Sequence, residues 1–514
     1  MATDFSKLKK FLDLPMWDPI APAIAASAAG VQLVADERNN ADSDPFLYLL
    51  LSATAFYRYS PIANEWQALN SPALAGTFGA GAGATLHPTQ GPRGVLAAGN
   101  TTSKVVISTA LNAAVGINQL ANRGDSLGYK IRIIGNAAGS SGKIEERRIV
   151  ANTAGTAPTL WLDSPLSFTP AAGDAYEILS GRIYLLSAGA LAAGTFKAFD
   201  ICTNSFITLS QTNLPATIAN DSAFIDMSEA NVPFSRSPGE GYFGALTATS
   251  SAAGTLTGQA AGGDSGVLAN EFRNFQIRIT QDTTTPTAVG QRRRIASHTA
   301  GVSPIYTLAS NWTVTPSANA QFVIEYDDDK LLLWTSNVAT TYTYNIAANT
   351  WDTTTFGASG GAHGAGVMAF GAWGTVKDPG ANARPSMIHV FRGGNVATLD
   401  ILDISGGANG TWDNAVVIGG VMPLVNTGTC GFCDSATNQG RYAYINSLAQ
   451  QRSLRYDILN REVEPFCFLP VAQSTAIVGN RTAPVLFVDG AAKMTLMHMI
   501  GATQALCYRM LLHV

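Results

Sequence analysis

The sequence predicts an all-β protein, a six-bladed β-propeller that carries two homologous inserted β-barrel or β-sandwich domains. Three observations lead to this fold class. One hairpin pattern, in which an aromatic residue, a polar turn, an asparagine and a large apolar residue follow each other, recurs along the chain. A long segment occurs twice. The composition is rich in small residues and poor in charge, which is typical of a turn-rich β protein.

Length and charge limit the class of protein. A chain of 514 residues exceeds a single simple core and fits several domains or one large repeat architecture. Charged residues make up 13% of it, about half of the usual ~25%. A surface so poor in charge favours a protein that is largely covered by partners. The net charge of −4 argues against a nucleic-acid-binding protein, which normally has a basic face.

The N-terminal stretch MATDFSKLKKFLDLPMWDP predicts a brief helix over DFSKLKKFLDL. Early charges, together with Pro15 and Pro19, do not fit a secretion signal. The longest apolar stretches fall short of the ~20 residues that span a bilayer. We therefore expect a soluble protein that is made in the cytoplasm and has no membrane span.

The recurring hairpin is clearest in two copies. Tyr59 is followed by Asn64 and Trp66, and Tyr344 is followed by Asn349 and Trp351 at the same offsets. Asparagine suits such a turn because it tolerates a positive φ angle. Three further copies, the last two of them less regular, are Phe199, Asn204 and Phe206; Ile404, Asn409 and Trp412; and Tyr456, Asn460 and Val463.

Each hairpin follows a run rich in β-branched and aromatic residues, so that each unit supplies about three strands. Such a unit cannot bury both of its faces alone, and repetition of this kind predicts blades that stack around a common axis. The C-terminal segment from Ala483 to Val514 supplies a sixth, degenerate blade. We expect the extended stretch Gly30–Ala35 to complete one blade and close the ring.

The first three hairpins lie much further apart than the last three because a duplicated segment separates them. Its two copies match at a constant offset of 146 positions. The matched pairs are Ile131/Ile277, Ile133/Ile279, Arg148/Arg294, Ile149/Ile295, Gly155/Gly301, Pro170/Pro316, Tyr176/Phe322 and Ile178/Ile324. The predicted organisation is an N-terminal segment 1–19, propeller portions 20–89, 181–239 and 329–514, and inserted domains 90–180 and 240–328.

Several strings resemble functional motifs, and we interpret each as structural. Ser265 in GGDSGV lies in a Gly-Asp-Ser-Gly string, but the upstream His87 has no protease-like context. Arg123–Tyr129 occupies the equivalent entry loop of the first insert. Phe78–Leu86 lacks phosphate-loop spacing, and Glu325–Lys330 lacks calcium-loop spacing.

Two further features leave a binding alternative open. The arginines shared by the inserts, Arg148 and Arg294, are able to bind a carboxylate, although a partly exposed strand position is the favoured interpretation. Cys430 and Cys433 form a lone C-x-x-C without a second ligand pair, so buried thiols are favoured over a zinc site. We therefore assign no catalytic, cofactor-binding or metal-binding residue, and we expect no cofactor.

The hairpin resembles the blade of kelch-type β-propellers. It departs from that family because the usual Gly-Gly pair is mostly missing, with Gly393 and Gly394 as the exception. The sequence pattern of the inserts is similar to that of a small β-domain of tailed-bacteriophage virion proteins. A propeller with such inserts resembles the tail nozzle, or hub, of short-tailed phages.

That resemblance implies a structural virion protein and not an enzyme. It implies a homo-oligomeric ring, usually a hexamer in that family, with the tail adaptor and fibres as partners. DNA would pass through the lumen without specific binding, and the protein would be located in the virion.

Three alternatives remain open from the sequence. The first is another virion position, such as baseplate, collar or head decoration. The second is a receptor-binding or fibre protein whose inserts bind host glycan. It requires exposed aromatic clusters on the insert loops, and the inserts have few such residues, namely Trp161, Trp312 and Tyr306. The third is a propeller enzyme that cleaves glycans, which requires paired carboxylates in the central funnel.

Overall fold

The structure, a computed structural model, confirms the all-β prediction. It describes residues 17–19, 30–35, 46–61, 63–75, 77–87, 89–123, 127–135, 140, 143–227, 242–250, 254–258, 268–325, 329–373, 386–420, 424–425, 429–433, 441–447, 452–468, 481–488, 492–500 and 506–512. Helix is almost absent from this part of the chain, which contains the short 3-10 turns Pro72–Ala75 and Pro286–Ala288. The predicted N-terminal helix lies outside the described residues.

Six antiparallel sheets share one plan, in which four strands lie side by side and each pairs with the next. Sheet 1 contains β2 (Gln32–Ala35), β3 (Leu47–Ser52), β4 (Ala55–Ser60) and β5 (Glu65–Leu69). Sheet 2 contains β6 (Gly81–His87), β13 (Arg182–Ser187), β15 (Phe196–Asp200) and β16 (Ser205–Thr208). Sheet 3 contains β18 (Ala223–Asp226), β25 (Lys330–Trp334), β26 (Tyr342–Asn345) and β27 (Thr350–Asp352).

The other three sheets follow in the C-terminal part. Sheet 4 contains β28 (Met368–Trp373), β29 (Ser386–Phe391), β30 (Leu399–Asp403) and β31 (Thr411–Val416). Sheet 5 contains β33 (Cys430–Cys433), β34 (Tyr442–Ser447), β35 (Arg452–Asp457) and β36 (Glu462–Phe468), with β32 (Gly419–Gly420) parallel to β36. Sheet 6 contains β37 (Arg481–Val488), β38 (Ala492–Ile500), β39 (Leu506–Leu512) and β1 (Trp17–Pro19). A small two-stranded sheet joins β14 (Gly189–Ala190) and β17 (Thr217–Ile218).

The strand that completes sheet 6 differs from our expectation. Trp17–Pro19 pairs with the last strand, in the register Trp17 opposite Met510. The stretch that we expected there provides Gln32–Ala35, which is the first strand of sheet 1. The expectation was wrong because both stretches are short and extended, and only long-range pairing distinguishes them.

The first strands of the six sheets lie next to each other in a cyclic order. Strand β2 lies beside β6, β6 beside β18, β18 beside β28, β28 beside β33, β33 beside β37, and β37 beside β2. Neighbouring sheets therefore contact each other through their first strands.

Each insert is a strongly curled, six-stranded sheet located between the first and second strands of its parent sheet. Insert 1 has the order β7 (Arg93–Val95), β12 (Ala175–Leu179), β9 (Lys130–Ile134), β10 (Ile144–Asn152), β11 (Thr159–Leu162) and β8 (Lys104–Val106). Insert 2 has the order β19 (Tyr242–Ala245), β24 (Gln321–Glu325), β21 (Gln276–Gln281), β22 (Arg292–His298), β23 (Ile305–Leu308) and β20 (Thr255–Thr257). Each curls like a half-barrel, and the bridges Leu96 to Ile107 and Leu246 to Gly258 bring the two edges together.

The two inserts share their register as well as their strand order. In insert 1 a bulge between Ile149 and Ala151 places Ala151 opposite Trp161. In insert 2 the same bulge places Ser297 opposite Thr307, at the offset of 146 positions found in the sequence. Positions of the two inserts can therefore be compared residue by residue.

The cores of the two inserts differ in their continuity with the rest of the chain. The buried residues of insert 1 form one cluster with those of sheets 1 and 2, including Phe56 and Phe199. The buried residues of insert 2 form a cluster of their own around Tyr306 and Phe322. Insert 1 is therefore packed into the main body, whereas insert 2 has its own core.

Candidate functional site

The recurring hairpins place their aromatic residues directly opposite each other. Tyr59 pairs with Trp66 and Tyr344 with Trp351 across neighbouring strands, with ring centroids 4.8 Å and 5.1 Å apart. In both hairpins the tyrosine hydroxyl donates a 2.6 Å hydrogen bond to the turn asparagine, Asn64 or Asn349. The pattern therefore specifies an aromatic pair whose tyrosine is held in place by a hydrogen bond to the asparagine of the turn.

Each of the five hairpin turns contains one residue with a positive φ angle. It lies two positions before the large apolar residue, such as Trp66 or Trp351, that begins the pairing on the second strand. These residues are Asn64 (φ 54°), Asn204 (φ 49°), Asn349 (φ 52°), Gly410 (φ 69°) and Arg461 (φ 53°).

Two details of the sequence prediction were wrong. Arg461, and not Asn460, adopts the left-handed conformation of the fifth hairpin. Leu402, and not Ile404, pairs with Trp412, because the fourth turn is longer.

The same hairpins join each sheet to the sheet before it. Side chains of the asparagine and tryptophan positions bind the backbone of the segment that leaves the preceding sheet. The bonds are Asn70 N–H to Asn204 Oδ1 (3.1 Å), Ser210 N–H to Asn349 Oδ1 (2.9 Å), Asn409 Nδ2 to the Thr354 carbonyl, Trp351 Nε1 to the Ser210 carbonyl (3.1 Å) and Trp412 Nε1 to the Gly357 carbonyl (2.8 Å). The repeated pattern therefore supplies a polar connection at three boundaries, between sheets 1 and 2, sheets 2 and 3, and sheets 3 and 4.

Arg461 carries a conformation that favours glycine or asparagine, so replacing it should stabilise the fold. We expect Arg461→Asn to raise the free energy of unfolding by about 0.5–1 kcal/mol, because a side chain with a Cβ atom is strained at this φ. Its 3.9 Å ion pair with Asp413 is partly exposed and contributes little. Urea unfolding measures the change.

Arg461→Ala is the matched control, because it removes the guanidinium but keeps the strained backbone. It should leave the stability unchanged or lower it slightly. Equal effects of the asparagine and alanine variants would contradict the role of backbone strain at this position.

Glycines allow the first strands of neighbouring sheets to approach each other closely. A Cβ atom on Gly81 would lie 2.5 Å from the Gly30 carbonyl oxygen, and one on Gly83 would lie 2.7 Å from the Phe224 Cβ. On the other side, a Cβ on Gly431 would meet the Met368 sulfur at 2.7 Å. At these three positions a neighbouring sheet or segment leaves no room for a side chain, so the glycines are a packing requirement.

Buried histidines occupy two places between or beside the C-terminal sheets. His389 is stacked on Phe370 and contacts Tyr456 of the next sheet, with ring centroids 5.8 Å and 5.6 Å away. His363 contacts the Val338 carbonyl at 2.9 Å through Nδ1 and Ser359 Oγ at 3.3 Å through Nε2. Burial lowers the pKa of His363 to about 4 and the pKa of His389 to about 3. Both imidazoles are therefore neutral at pH 7.

Insert 1 is fixed to the sheets by hydrogen bonds at its base. Asn112 Nδ2 donates to the Asp200 carboxylate, and Gln119 Nε2 donates to the Cys202 carbonyl at 2.9 Å. Arg58 of sheet 1 donates to the Arg123 carbonyl at 2.9 Å. These contacts explain why this insert shares a core with sheets 1 and 2.

Insert 2 is fixed through a buried asparagine. Asn274 Nδ2 donates to the carbonyls of Ile404 and Gly407, at 2.6 Å and 2.8 Å, in the hairpin turn of sheet 4. The Arg294 guanidinium lies over the Phe356 ring at 6.0 Å. The equivalent Arg148 donates to the Gly128 carbonyl at 3.2 Å inside insert 1. Both arginines are half-buried strand residues, and these contacts are made within the chain.

The strings that resemble catalytic motifs are only partly covered by the described residues. Ser265 and the residues 124–126 lie outside them, as do the residues 326–328 of the acidic run. His87 is buried, and its Nδ1 accepts the Thr89 N–H at 3.3 Å. Cys430 and Cys433 lie three residues apart on β33 and therefore face opposite sides. Within the described ranges, no group of three His, Cys, Asp or Glu side chains could hold a metal ion.

Only one of the three insert aromatics is at the surface. Trp312 and Tyr306 are buried in insert 2, whereas Trp161 is 39% exposed on the outer face of insert 1. Sequence reasoning did not single out this face. The signal was present, because comparison at the offset of 146 shows threonine, Thr307, where insert 1 has tryptophan.

Comparisons with known proteins leave the family open. No protein-family model and no curated protein matches the chain. Among solved structures, a chain of the "Crystal Structure of Mitotic Checkpoint Complex" aligns over 98% of this chain and 93% of its own length, with a TM-score of 0.32 and 8% identity. In the described part of the chain, none of the helices has the length and apolar character needed to cross a membrane.

Proposed function

We propose that the chain is a structural component of a tailed-bacteriophage virion, the tail nozzle or hub, and that its six sheets are the blades of a propeller. In this proposal several copies form a ring through which DNA passes without specific binding. Other virion proteins, such as the tail adaptor and fibres, bind the outside of the ring. The inserted domains form part of the contacts between neighbouring subunits.

The cyclic order of the six first strands is the observation that carries the proposal. Six sheets of one plan that surround a shared centre are the arrangement of propeller blades. The strand Trp17–Pro19 supports it further, because it joins the N-terminal part of the chain to the last sheet. Sequence resemblance to tail nozzle proteins then supplies the biological role.

The glycine contacts support a DNA path that lies outside a single subunit. Gly81 and Gly83 leave no room for a side chain where neighbouring first strands meet, whereas a duplex about 20 Å wide would need an open channel there. In this proposal the lumen therefore lies between copies. The low charge of the chain, 13%, suits subunits whose surfaces are largely covered.

Negative-stain microscopy of the purified full-length chain, combined with sedimentation velocity, tests the proposal. We expect closed rings with a central lumen and a sedimentation coefficient well above that of a 53.8 kDa monomer. Monomers at the highest attainable concentration would contradict it. The number of copies per phage particle distinguishes a nozzle from a decoration protein.

A further inference from the structure

We infer that the outer face of insert 1 is the contact by which one copy of this chain binds the next, at the edge between sheets 4 and 5 of its neighbour. The outer face of insert 1 is defined by Val95, Lys104, Val106, Val150 and Trp161. The edge between sheets 4 and 5 is defined by Asp413, Val417 and Glu462. The inference rests on the proposed ring and identifies its contact surfaces.

The duplication within the chain shows that the outer face of insert 1 is not needed for folding. Insert 2 has the same strands and the same bulge, yet its residues at these positions are smaller or more polar. The equivalent pairs are Val95/Ala245, Lys104/Thr255, Val106/Thr257, Val150/Ala296 and Trp161/Thr307. At one position of this face insert 2 has the larger and more apolar residue, with Ile305 where insert 1 has Thr159.

The difference places exposed apolar side chains of insert 1 on one face, whereas the exposed apolar residues of insert 2, which are Leu268, Val302 and Ile305, lie at other positions. Val150 is 51% exposed and Trp161 is 39% exposed, and they lie on adjacent strands next to the same bulge. Exposed tryptophan surrounded by aliphatic residues is typical of the centre of a protein–protein contact. Because the fold of insert 2 forms without them, these side chains are available for binding.

Two basic side chains flank this face, and Glu177, which is paired with Arg132, lies opposite Arg93 across the strands. Lys104 pairs across the strands with Trp161, and Arg93 is exposed two residues before Val95 on the same strand. Neither Lys104 nor Arg93 forms an ion pair within the described residues. At the equivalent positions insert 2 has Thr255 and Phe243, so this charge too is confined to insert 1.

The edge between sheets 4 and 5 has the complementary character. Val417 is 87% exposed, more than any other large apolar residue of the described part of the chain. Glu462 is paired with Gly419, two residues after Val417, and it forms no ion pair among the described residues. Asp413, which is exposed and lies 3.9 Å from the Arg461 guanidinium, adds a second carboxylate. An apolar residue flanked by acids therefore meets an apolar patch flanked by bases.

The positions of the two surfaces suit a head-to-tail contact. Insert 1 arises from sheet 2, and sheet 5 lies three places further in the cyclic order of six sheets. The two surfaces are therefore on opposite sides of the molecule. A contact between different surfaces of identical chains propagates from copy to copy and closes into a ring when the rotation allows it.

The test exchanges residues between the two inserts in the full-length chain. We expect Val150→Ala with Trp161→Thr to weaken self-association at least about tenfold in sedimentation equilibrium, because a tryptophan at an interface centre dominates its affinity. The matched control is Ala296→Val with Thr307→Trp in insert 2, which should associate like the wild type. Circular dichroism and the melting temperature verify that both variants are folded.

A charge exchange tests the pairing of the two surfaces. Lys104→Glu and Glu462→Lys should each weaken association, and the two together should restore part of it. If the wild type does not self-associate, the proposed function and the inference both fail. If rings form and the insert 1 variant assembles like the wild type, only the inference fails. Rings that persist in this variant but no longer enter phage particles would assign the face to another virion protein and also overturn the inference.

Discussion

Replacing Trp351 by alanine should lower the free energy of unfolding by about 3–5 kcal/mol, in the range of large-to-small changes at buried aromatic residues. Trp351 is almost fully buried, and its ring contacts Phe196 at 5.0 Å and Tyr344 at 5.1 Å. Its indole N–H also binds the Ser210 carbonyl at the exit of sheet 2. The substitution therefore removes packing and a hydrogen bond at the seam between sheets 2 and 3. Urea unfolding monitored by far-UV circular dichroism measures the loss.

The variant Trp351→Phe separates the two contributions. It keeps an aromatic ring against Phe196 and removes the indole N–H, so it should lose about 1–2 kcal/mol. A loss below 1 kcal/mol for Trp351→Ala would show that the hairpin does not hold this seam. An equal loss in the two variants would assign the effect to the hydrogen bond alone.

Mild acid should destabilise the protein by about 4 kcal/mol between pH 7.5 and pH 5. The pKa of His363 is about 4 and that of His389 about 3 in the folded chain, below the ~6.5 of an exposed imidazole. The unfolded state therefore binds more protons below pH 6.5, and stability falls as the pH decreases. Each histidine contributes about 2 kcal/mol of this loss at pH 5. Burial also lowers the pKa of His298, which acts in the same direction.

Urea midpoints measured at several pH values test this dependence. Carboxylates such as Asp457, whose pKa is lowered by its hydrogen bonds to Arg441 and to the Asn460 backbone against the opposing effect of burial, lose their contribution mainly below about pH 4. The interval from pH 7.5 to pH 5 therefore isolates the histidines. The double variant His363→Asn with His389→Phe should keep less than half of the loss. A loss as large as that of the wild type would contradict the assignment.

The contact of His389 with a neighbouring sheet is a feature that could not be predicted from the sequence. Its neighbours along β29 are apolar, and nothing in the sequence marks it as important. It matters because Tyr456, from a different sheet, lies against its ring. Its Nδ1 has no hydrogen-bond partner among the described residues. A contact between two sheets joins residues that are distant in the chain, and a single sequence contains no local signal for it.

The outer face of insert 1 is an intermediate case. The duplicated segments could be aligned from the sequence, so the contrast between Trp161 and Thr307 was already accessible. Which of the matched positions face outward was not, because the bulge after Ile149 shifts the alternation of β10. Only the register between β10 and β11 in the structure shows that Val150 and Trp161 lie on one surface.

By itself the sequence determined the hairpins, the turn asparagines, the all-β class and the duplication of the inserts. These features depend on alternation and turn conformation, which neighbouring residues impose on each other. The tertiary structure decided that Trp17–Pro19 completes the last sheet, that Arg461 takes the left-handed position, and that one insert shares the main core while the other does not. Those outcomes depend on contacts between distant segments, whose packing selects one arrangement among several that local preferences allow equally.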